Sequence, residues 1–138
     1  MSLSDNRYQA ERWLLTARED LKAVKALLEA GAYAQACFYA QKAAEKAVKA
    51  LWRLVDQDLR DHSVGRLIDE FPRKAEIPDL PTLTGKAAAL DKFYIPTRYP
   101  NGLPALTPSQ IYGAEDADQP IEASRMIVDA CEAWLLNH

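Results

Sequence analysis

The stretch "YAQACFYAQKAAEKAVKALWRL", residues 33–54, decides the fold because small and apolar residues recur in it at helical spacing. The positions that share one face are Tyr33, Cys37, Ala40, Ala44, Ala47, Leu51 and Leu54. Steps of three and four residues place such side chains on one side of an α-helix. Alanine also lets neighbouring helix axes approach closely. The pattern therefore predicts a helix over about residues 32–56 that lies deep in a bundle or at a subunit interface.

The segment before it, residues 5–30, carries a second apolar seam. Its members are Leu14, Ala17, Leu21, Val24 and Leu28. Ser4 or Asp5 is expected to cap the start of this helix, and Gly31 is expected to end it. Because the break at Gly31 is short, the first two helices are predicted to form an antiparallel hairpin.

Three further helices are predicted downstream. The first is short, begins at the N-cap Ser63 and ends before Pro72. The second is also short and is capped by Thr82 or Thr84. The last carries Pro120, which is expected in its first turn, where proline is tolerated.

The sequence thus predicts one all-α domain over residues 1–138. Its fold class is an up-and-down bundle of about five helices, two of them short. One long loop is expected near residues 96–114. A loop of that length in a small domain is commonly functional or flexible.

Composition limits the classes of function. The chain has 138 residues, 49% of them hydrophobic, and a net charge of −3. Residues 1–100 are mildly basic and residues 101–138 are acidic, so a local basic groove is compatible with the sequence. No apolar run approaches the roughly 20 residues that span a bilayer, and the polar start does not resemble a signal peptide. A cytoplasmic protein with two buried thiols, Cys37 and Cys131, is expected, with no cofactor and no metal site.

The loop "FYIPTRYPNGLP", residues 93–104, gathers bulky and charged side chains among prolines. Arg98, stiffened by its neighbours, suits bidentate contact with a phosphate. Tyr94 and Tyr99 could stack on bases, or they could only fasten the loop to the bundle. Arg98 could instead be a structural residue that ties the loop to a carboxylate such as Asp91 or Glu45.

The helix at residues 32–56 bears a basic stripe, which we define as Lys42, Lys46, Lys49 and Arg53. Glu45 lies within it and is placed to pair with Lys49, four residues on. Such a stripe is usually the solvated face of an amphipathic helix. Next to Arg98 it would instead form a phosphate-binding groove.

Two histidines are present. His138, the last residue, is expected to be disordered. His62 precedes an N-cap, where a structural role is the default, and it could move protons only if the fold brings it near Arg98.

The combination of segments resembles the HEPN family, named for higher eukaryotes and prokaryotes nucleotide-binding. The resemblance covers nearly the whole chain. Its most specific parts are "FYAQKAAEKAVKAL" (38–51) and "YIPTRYPN" (94–101), which are accompanied by "DHSVGRLI" (61–68) and "AEDADQPIEASRMIVD" (114–129). The resemblance implies a helical homodimer that binds RNA or a nucleotide. It also implies a small nucleotidyltransferase as partner in a toxin–antitoxin-like system, with Arg98, Tyr99 and Asn101 at the dimer cleft.

Enzymatic activity is left open by the resemblance. HEPN ribonucleases carry an arginine and a histidine separated by four to six intervening residues, but here Leu103, Pro104 and Ala105 occupy the corresponding positions after Arg98. Cleavage of RNA without metal needs a base and an acid, and arginine does not readily supply the base. The alternatives are a metal-independent ribonuclease with a rearranged site that uses His62, or a module that only docks a partner protein.

Overall fold

The computed structural model describes residues 2–94 and 106–138, and all regular structure in these ranges is helical. The helices are α1 (Leu3–Glu29), α2 (Tyr33–Leu54), α3 (Val64–Asp69), α4 (Leu80–Asp91), α5 (Pro108–Ile111) and α6 (Ala114–Leu136), with one 3₁₀ turn at Lys74–Glu76. The predicted all-α bundle is confirmed. It has one short helix more than expected, because α5 forms inside the segment predicted as a loop.

Helix α2 is the centre of the bundle, in contact with α1, α3, α4, α5 and α6. Its alanine seam is fully buried, Ala44 and Ala47 included, against other helices of the same chain. The close approach that alanine allows is therefore used within one subunit. The seam gives no support to a subunit interface, which was the other explanation of the pattern.

Gly31 ends the first helix as predicted, and its φ of +72° is a conformation that L side chains rarely adopt. The amide of Gly31 donates to the Leu28 carbonyl at 3.0 Å, and that of Ala32 donates to the Leu27 carbonyl at 2.8 Å. These bonds satisfy carbonyls that the helix end would otherwise leave without donors. The chain then reverses into α2 after only three residues, which closes the α1–α2 hairpin.

Two predicted helix starts were wrong. Helix α1 is capped by Ser2, whose Oγ accepts from the Asp5 amide at 3.1 Å, and not by Ser4 or Asp5. Helix α4 begins at Leu80 after Asp79, before both threonines considered as caps. Pro81 can occupy the second helical position because the first amides of a helix need no carbonyl partner within it.

Pro120 lies in the second turn of α6 and not in the first, since that helix begins at Ala114. A proline has no amide hydrogen to give to the carbonyl four residues earlier, here that of Asp116. The Cys37 thiol of α2 lies 3.9 Å from this carbonyl oxygen and can act as a weak donor. Burial, reinforced by Asp116, raises the pKa of Cys37 to about 12. The thiol is therefore protonated at neutral pH, as this contact requires.

Buried side-chain hydrogen bonds attach two other helices to α2. Ser124 of α6 donates to the Ala40 carbonyl at 2.6 Å, and Trp52 Nε1 donates to the Leu67 carbonyl of α3 at 3.0 Å. Both bonds are buried, so breaking either one while its side chain remains would leave a buried O–H or N–H donor without a partner.

The C-terminal residue was wrongly expected to be disordered. The His138 ring stacks on Trp134, with centroids 4.2 Å apart, and its Nε2 lies 3.3 Å from a carboxylate oxygen of Glu76. Within residues 2–94 and 106–138, no helix has the length and apolarity needed to cross a membrane.

Candidate functional site

Tyr94, immediately after α4, is held by aromatic and cationic neighbours. Its ring stacks on His62, with centroids 5.1 Å apart and planes 15° from parallel. Lys42 Nζ lies 5.6 Å from the Tyr94 ring centroid, and the Phe38 ring centroid is 6.1 Å away. We call Tyr94, His62 and Lys42 the tyrosine platform. It brings together a π-face, an imidazole and an ammonium group from three separate parts of the chain.

The end of α4 determines where Tyr94 lies. Helix α4 stops at Asp91, and the amides of Phe93 and Tyr94 donate to the Leu90 and Asp91 carbonyls at 3.0 and 3.3 Å. This tight turn directs the chain back towards α2. Phe93 also contacts Tyr112, which comes 19 residues later in the sequence, with ring centroids 5.8 Å apart.

Asp91 fastens the end of α4 to the start of α3. Its carboxylate accepts from Ser63 Oγ at 2.8 Å, from the Val64 amide at 2.8 Å and from the Gly65 amide at 3.0 Å. Gln41 Nε2 adds a longer bond at 3.3 Å. A negative charge at a helix N-terminus is favourable because the first amides have no partners within the helix. Asp91 is thus a structural acid that fixes the approach to Tyr94.

Gln41 also positions His62. It is fully buried in α2, and its Nε2 donates to the His62 carbonyl at 2.7 Å. The backbone of His62 is therefore fixed from α2, while the side chain remains 60% exposed. An exposed ring on a fixed backbone is available for stacking with a ligand.

The carboxylate of Glu45 contacts two members of the tyrosine platform, Lys42 and His62. Glu45 is only 2% exposed, yet its carboxylate accepts from Lys42 at 3.1 Å and from Lys49 at 3.0 Å. His62 Nδ1 lies 3.4 Å from the same carboxylate. The predicted pairing of Glu45 with Lys49 is confirmed. Two ammonium groups share one carboxylate, so this cluster has one net positive charge with neutral His62.

Three residues of the basic stripe, Lys46, Lys49 and Arg53, contact side chains of α1. Lys46 Nζ lies 2.8 Å from a carboxylate oxygen of Asp20. Lys49 Nζ and the Arg53 guanidinium carbon lie 5.9 and 5.1 Å from the centroid of Trp13. The side chains of Lys42, Lys46 and Lys49 are 18%, 25% and 13% exposed. The interpretation of this stripe as an ordinary solvated face was therefore wrong.

The structure thus brings together four of the predicted site residues: Lys42, Lys49, His62 and Tyr94. Lys46 lies nearby on α2 but is engaged with α1. Arg98, Tyr99 and Asn101 lie outside the described residues, so their predicted placement stays a prediction. The same holds for a tie from Arg98 to Asp91 or Glu45, although both carboxylates already have partners among the described residues.

Sequence reasoning missed the roles of Asp91 and Gln41. Both are polar residues in helices whose seams are otherwise apolar. This exception to the apolar pattern was the only signal in the sequence that could have identified them. Their partners lie 21–50 residues away along the chain, so no local pattern pairs them. Asp91 was considered only as a partner for Arg98.

The chemistry available at the platform is that of recognition of an anion with an aromatic group. Stacked rings accept a base, and ammonium groups attract phosphate. Among the described residues, no group of three or more His, Cys, Asp or Glu side chains is placed to hold a metal ion. An orienting carboxylate beside an exposed imidazole is also an arrangement that acid–base catalysis uses.

Comparison with known proteins gives consistent matches. A model described as HEPN domain matches residues 10–134. A protein of Methanocaldococcus jannaschii named "Putative toxin MJ1304" is 26% identical over 133 residues, which cover 91% of this chain and 88% of that protein. The crystal structure of TT1696 from Thermus thermophilus is 36% identical with a TM-score of 0.84, covering 91% of this chain and 97% of that one.

Two further solved structures are similar. An archaeal HEPN homologue, ST0689, is 31% identical with a TM-score of 0.76 and covers 92% of this chain and 98% of its own. A HEPN domain protein of Thermotoga maritima is 31% identical with a TM-score of 0.72 and covers 92% of this chain and 99% of its own.

Proposed function

The chain belongs to the HEPN domain family, and on that premise we propose that it binds RNA or a nucleotide as a homodimer and works with a small nucleotidyltransferase in a toxin–antitoxin-like system. The observation that carries the binding is the tyrosine platform. The similarity to the Methanocaldococcus jannaschii protein supports the toxin–antitoxin-like role. The homodimer and the nucleotidyltransferase rest on the family resemblance.

The platform favours a nucleotide ligand over a simple anion. His62 and Tyr94 are stacked nearly parallel, a geometry that a nucleobase can extend on the exposed histidine. Lys42 Nζ lies 5.6 Å from the centroid of the Tyr94 ring and can attract a phosphate. A free phosphate would use only the cation and leave the stacked rings without a function.

Arg98 joins this proposal through the sequence. It follows Tyr94 by four residues, and an extended chain covers at most about 3.5 Å per residue. The backbone between the two residues is therefore at most about 14 Å long. We propose that Arg98, with Tyr99 and Asn101, supplies a second phosphate contact at the tyrosine platform.

We expect Lys42→Gln to weaken RNA binding about threefold to tenfold in 50 mM salt. The slope of log affinity against log salt should become shallower by about one unit, because one phosphate contact is lost. Arg98→Ala should act in the same direction. Fluorescence anisotropy with a labelled ten-nucleotide single-stranded RNA measures both. Lys22→Gln, an equal charge change at an exposed position of α1, is the control.

If Lys42→Gln and Lys22→Gln reduce affinity equally, only overall charge matters and the platform is not the site. If the wild-type protein binds neither RNA nor nucleotides, the binding function is wrong. Co-purification with a nucleotidyltransferase would then favour a purely structural docking module.

A ribonuclease is the second candidate because of the contact between His62 and Glu45. The buried carboxylate lies beside Nδ1, which leaves Nε2 to accept the proton of an RNA 2′-hydroxyl. The 2′-oxygen would form a bond to phosphorus as the bond to the 5′-oxygen breaks. The departing 5′-oxygen would take a proton from water or from Lys42.

This second candidate predicts that mixed RNA incubated with the protein and a chelator yields fragments ending in 2′,3′-cyclic phosphate. His62→Gln should reduce the rate at least a hundredfold, since general acid–base catalysis typically contributes about 10²–10⁴-fold. RNA that remains intact with the wild-type protein, or a His62→Gln variant with unchanged rate, contradicts it. Melting temperatures of both proteins show whether the variant is folded.

A further inference from the structure

We propose that the binding site continues along α2 to a second platform at Trp13, so that its ligand is a short single-stranded RNA segment and not a mononucleotide. This inference rests on the proposed RNA-binding function and specifies its substrate. The Trp13 platform, as we define it, consists of Trp13 and Arg12 of α1 with Lys46, Lys49 and Arg53 of α2.

Trp13 packs against the core with part of its ring accessible, and two cations lie close to that ring. Arg53 and Lys49 approach its ring at 5.1 and 5.9 Å from the centroid. Trp13 also lines a cavity of about 260 Å³ together with Arg12, Thr16 and Lys46. Arg12 is exposed and hydrogen-bonds to Gln9 at 3.2 Å. An indole with cations around it and open space beside it combines the two features that single-strand binding uses, which are stacking and attraction of phosphate.

Lys49 connects the two platforms. Its ammonium group lies 3.0 Å from Glu45, the carboxylate that also meets Lys42 and His62, and 5.9 Å from the Trp13 ring. The stripe from Lys42 to Arg53 therefore runs without a break from one aromatic group to the other. Counting Arg12 and the acids paired with the stripe, this surface has two more cations than anions.

The length of the stripe indicates the size of the ligand. Lys42 and Arg53 are eleven residues apart on one helix, which at 1.5 Å per residue is about 16 Å. Stacked nucleotides rise about 3.4 Å each along a strand, so this distance accommodates about five stacked nucleotides and fewer extended ones. A mononucleotide would occupy only one platform.

An acidic border marks where the stripe ends. Arg53 also lines a second cavity, of about 240 Å³, together with Asp56 and with Asp58, whose carboxylate lies 3.7 Å from the Arg53 guanidinium. Their carboxylates repel phosphate. The strand is therefore expected to stop at Arg53 or to leave the surface there.

RNA fits this surface better than an acidic protein segment does. Peptide carboxylates would pair with the cations, but they would gain little from Trp13 and Tyr94. Nucleobases use both, because every base has a face that stacks on aromatic rings. A duplex would keep its bases stacked inside, so a single strand is the form that reaches these rings.

The test compares ligand lengths. Anisotropy with labelled ten-nucleotide oligouridylate in 50 mM salt is measured alongside competition by uridine monophosphate. We expect Trp13→Leu to weaken the ten-nucleotide RNA about tenfold and Arg12→Gln about threefold, with little effect of either on the mononucleotide. Lys25→Gln, about half a turn around α1 from Arg12 and Thr16, is the charge-matched control and should leave binding unchanged.

Arg12→Gln keeps the test decisive if Trp13→Leu does not fold, because Arg12 is exposed. Wild-type protein that binds RNA, with Arg12→Gln indistinguishable from Lys25→Gln, overturns the second platform while the tyrosine platform stands. Wild-type protein that binds no RNA overturns the proposed function and this inference with it. Displacement of RNA by an equal concentration of oligoglutamate overturns the choice of RNA over an acidic protein.

Discussion

Replacing Asp91 by alanine is expected to lower the free energy of unfolding by about 3 kcal/mol, because the substitution removes a charged acceptor from several donors at once. Those donors are Ser63 Oγ and the amides of Val64 and Gly65 at the start of α3, with Gln41 Nε2 of α2. Hydrogen bonds to charged groups contribute more than neutral ones. Loss of an N-cap interaction alone typically costs about 1 kcal/mol.

Urea unfolding followed by circular dichroism measures the change. Asp69→Ala is the matched control, since Asp69 is 72% exposed and pairs only with Lys74 at 3.2 Å among the described residues. It should change stability by less than about 0.5 kcal/mol. Equal effects of the two substitutions would mean that Asp91 does not join the helices as described.

Asp91→Ala should also weaken RNA binding under conditions where the variant is folded. Asp91 contacts no proposed ligand, but it fixes the end of α4 and therefore the start of the turn that presents Tyr94. Unchanged affinity in a folded Asp91→Ala variant would show that the tyrosine platform forms without this attachment.

The sequence alone was sufficient to predict the helical bundle, because the patterns that identify its helices lie within short stretches of the chain. Seams with steps of three and four residues identify α1 and α2, and Gly31 marks the reversal between them. The alanine seam could not reveal which surface it meets. Ala44 and Ala47 are equally suited to α1, to α6 or to a second subunit, and only the assembled chain shows that its own helices bury them.

Helix boundaries were less predictable where proline is involved. The prediction placed Pro120 in the first turn because an interior proline loses a hydrogen bond. The fold tolerates it one turn later, where the Cys37 thiol approaches the carbonyl that proline cannot serve. That compensation joins residues 79 positions apart, so the sequence of α6 alone could not predict it.

Part of the candidate site was predictable because its signal, like that of the helices, is local in the sequence. The basic stripe is periodic, and periodicity placed Lys42, Lys46 and Lys49 on one face of α2. Which of these lysines pairs with Glu45 and which contacts Asp20 or Trp13 depends on how α1 packs against α2. His62 needed the fold to reach Tyr94, 32 residues away. Arg98 remains a prediction from its sequence context.

Glu45→Gln is expected to change stability and RNA affinity in opposite directions. Glutamine preserves the shape of the side chain but removes the charge that holds Lys42 and Lys49. Removing one partner from a buried ion pair is strongly destabilising because the remaining charge is left uncompensated. Both lysines retain some exposure and can reach water in part, so we expect a loss of about 2–4 kcal/mol, measured by urea unfolding.

The RNA affinity of the same variant should rise about threefold in 50 mM salt, and the gain should shrink as salt increases. Two ammonium groups that shared one carboxylate become free to meet phosphates, so more counterions are released on binding. Glu122→Gln removes one negative charge from an exposed position of α6 and controls for net charge alone. Equal affinity gains in the two variants would show that the stripe does not face the ligand. An affinity that falls together with stability would show that Glu45 orients the lysines for binding, because an acid that only stabilises the fold would leave them free to bind when it is removed.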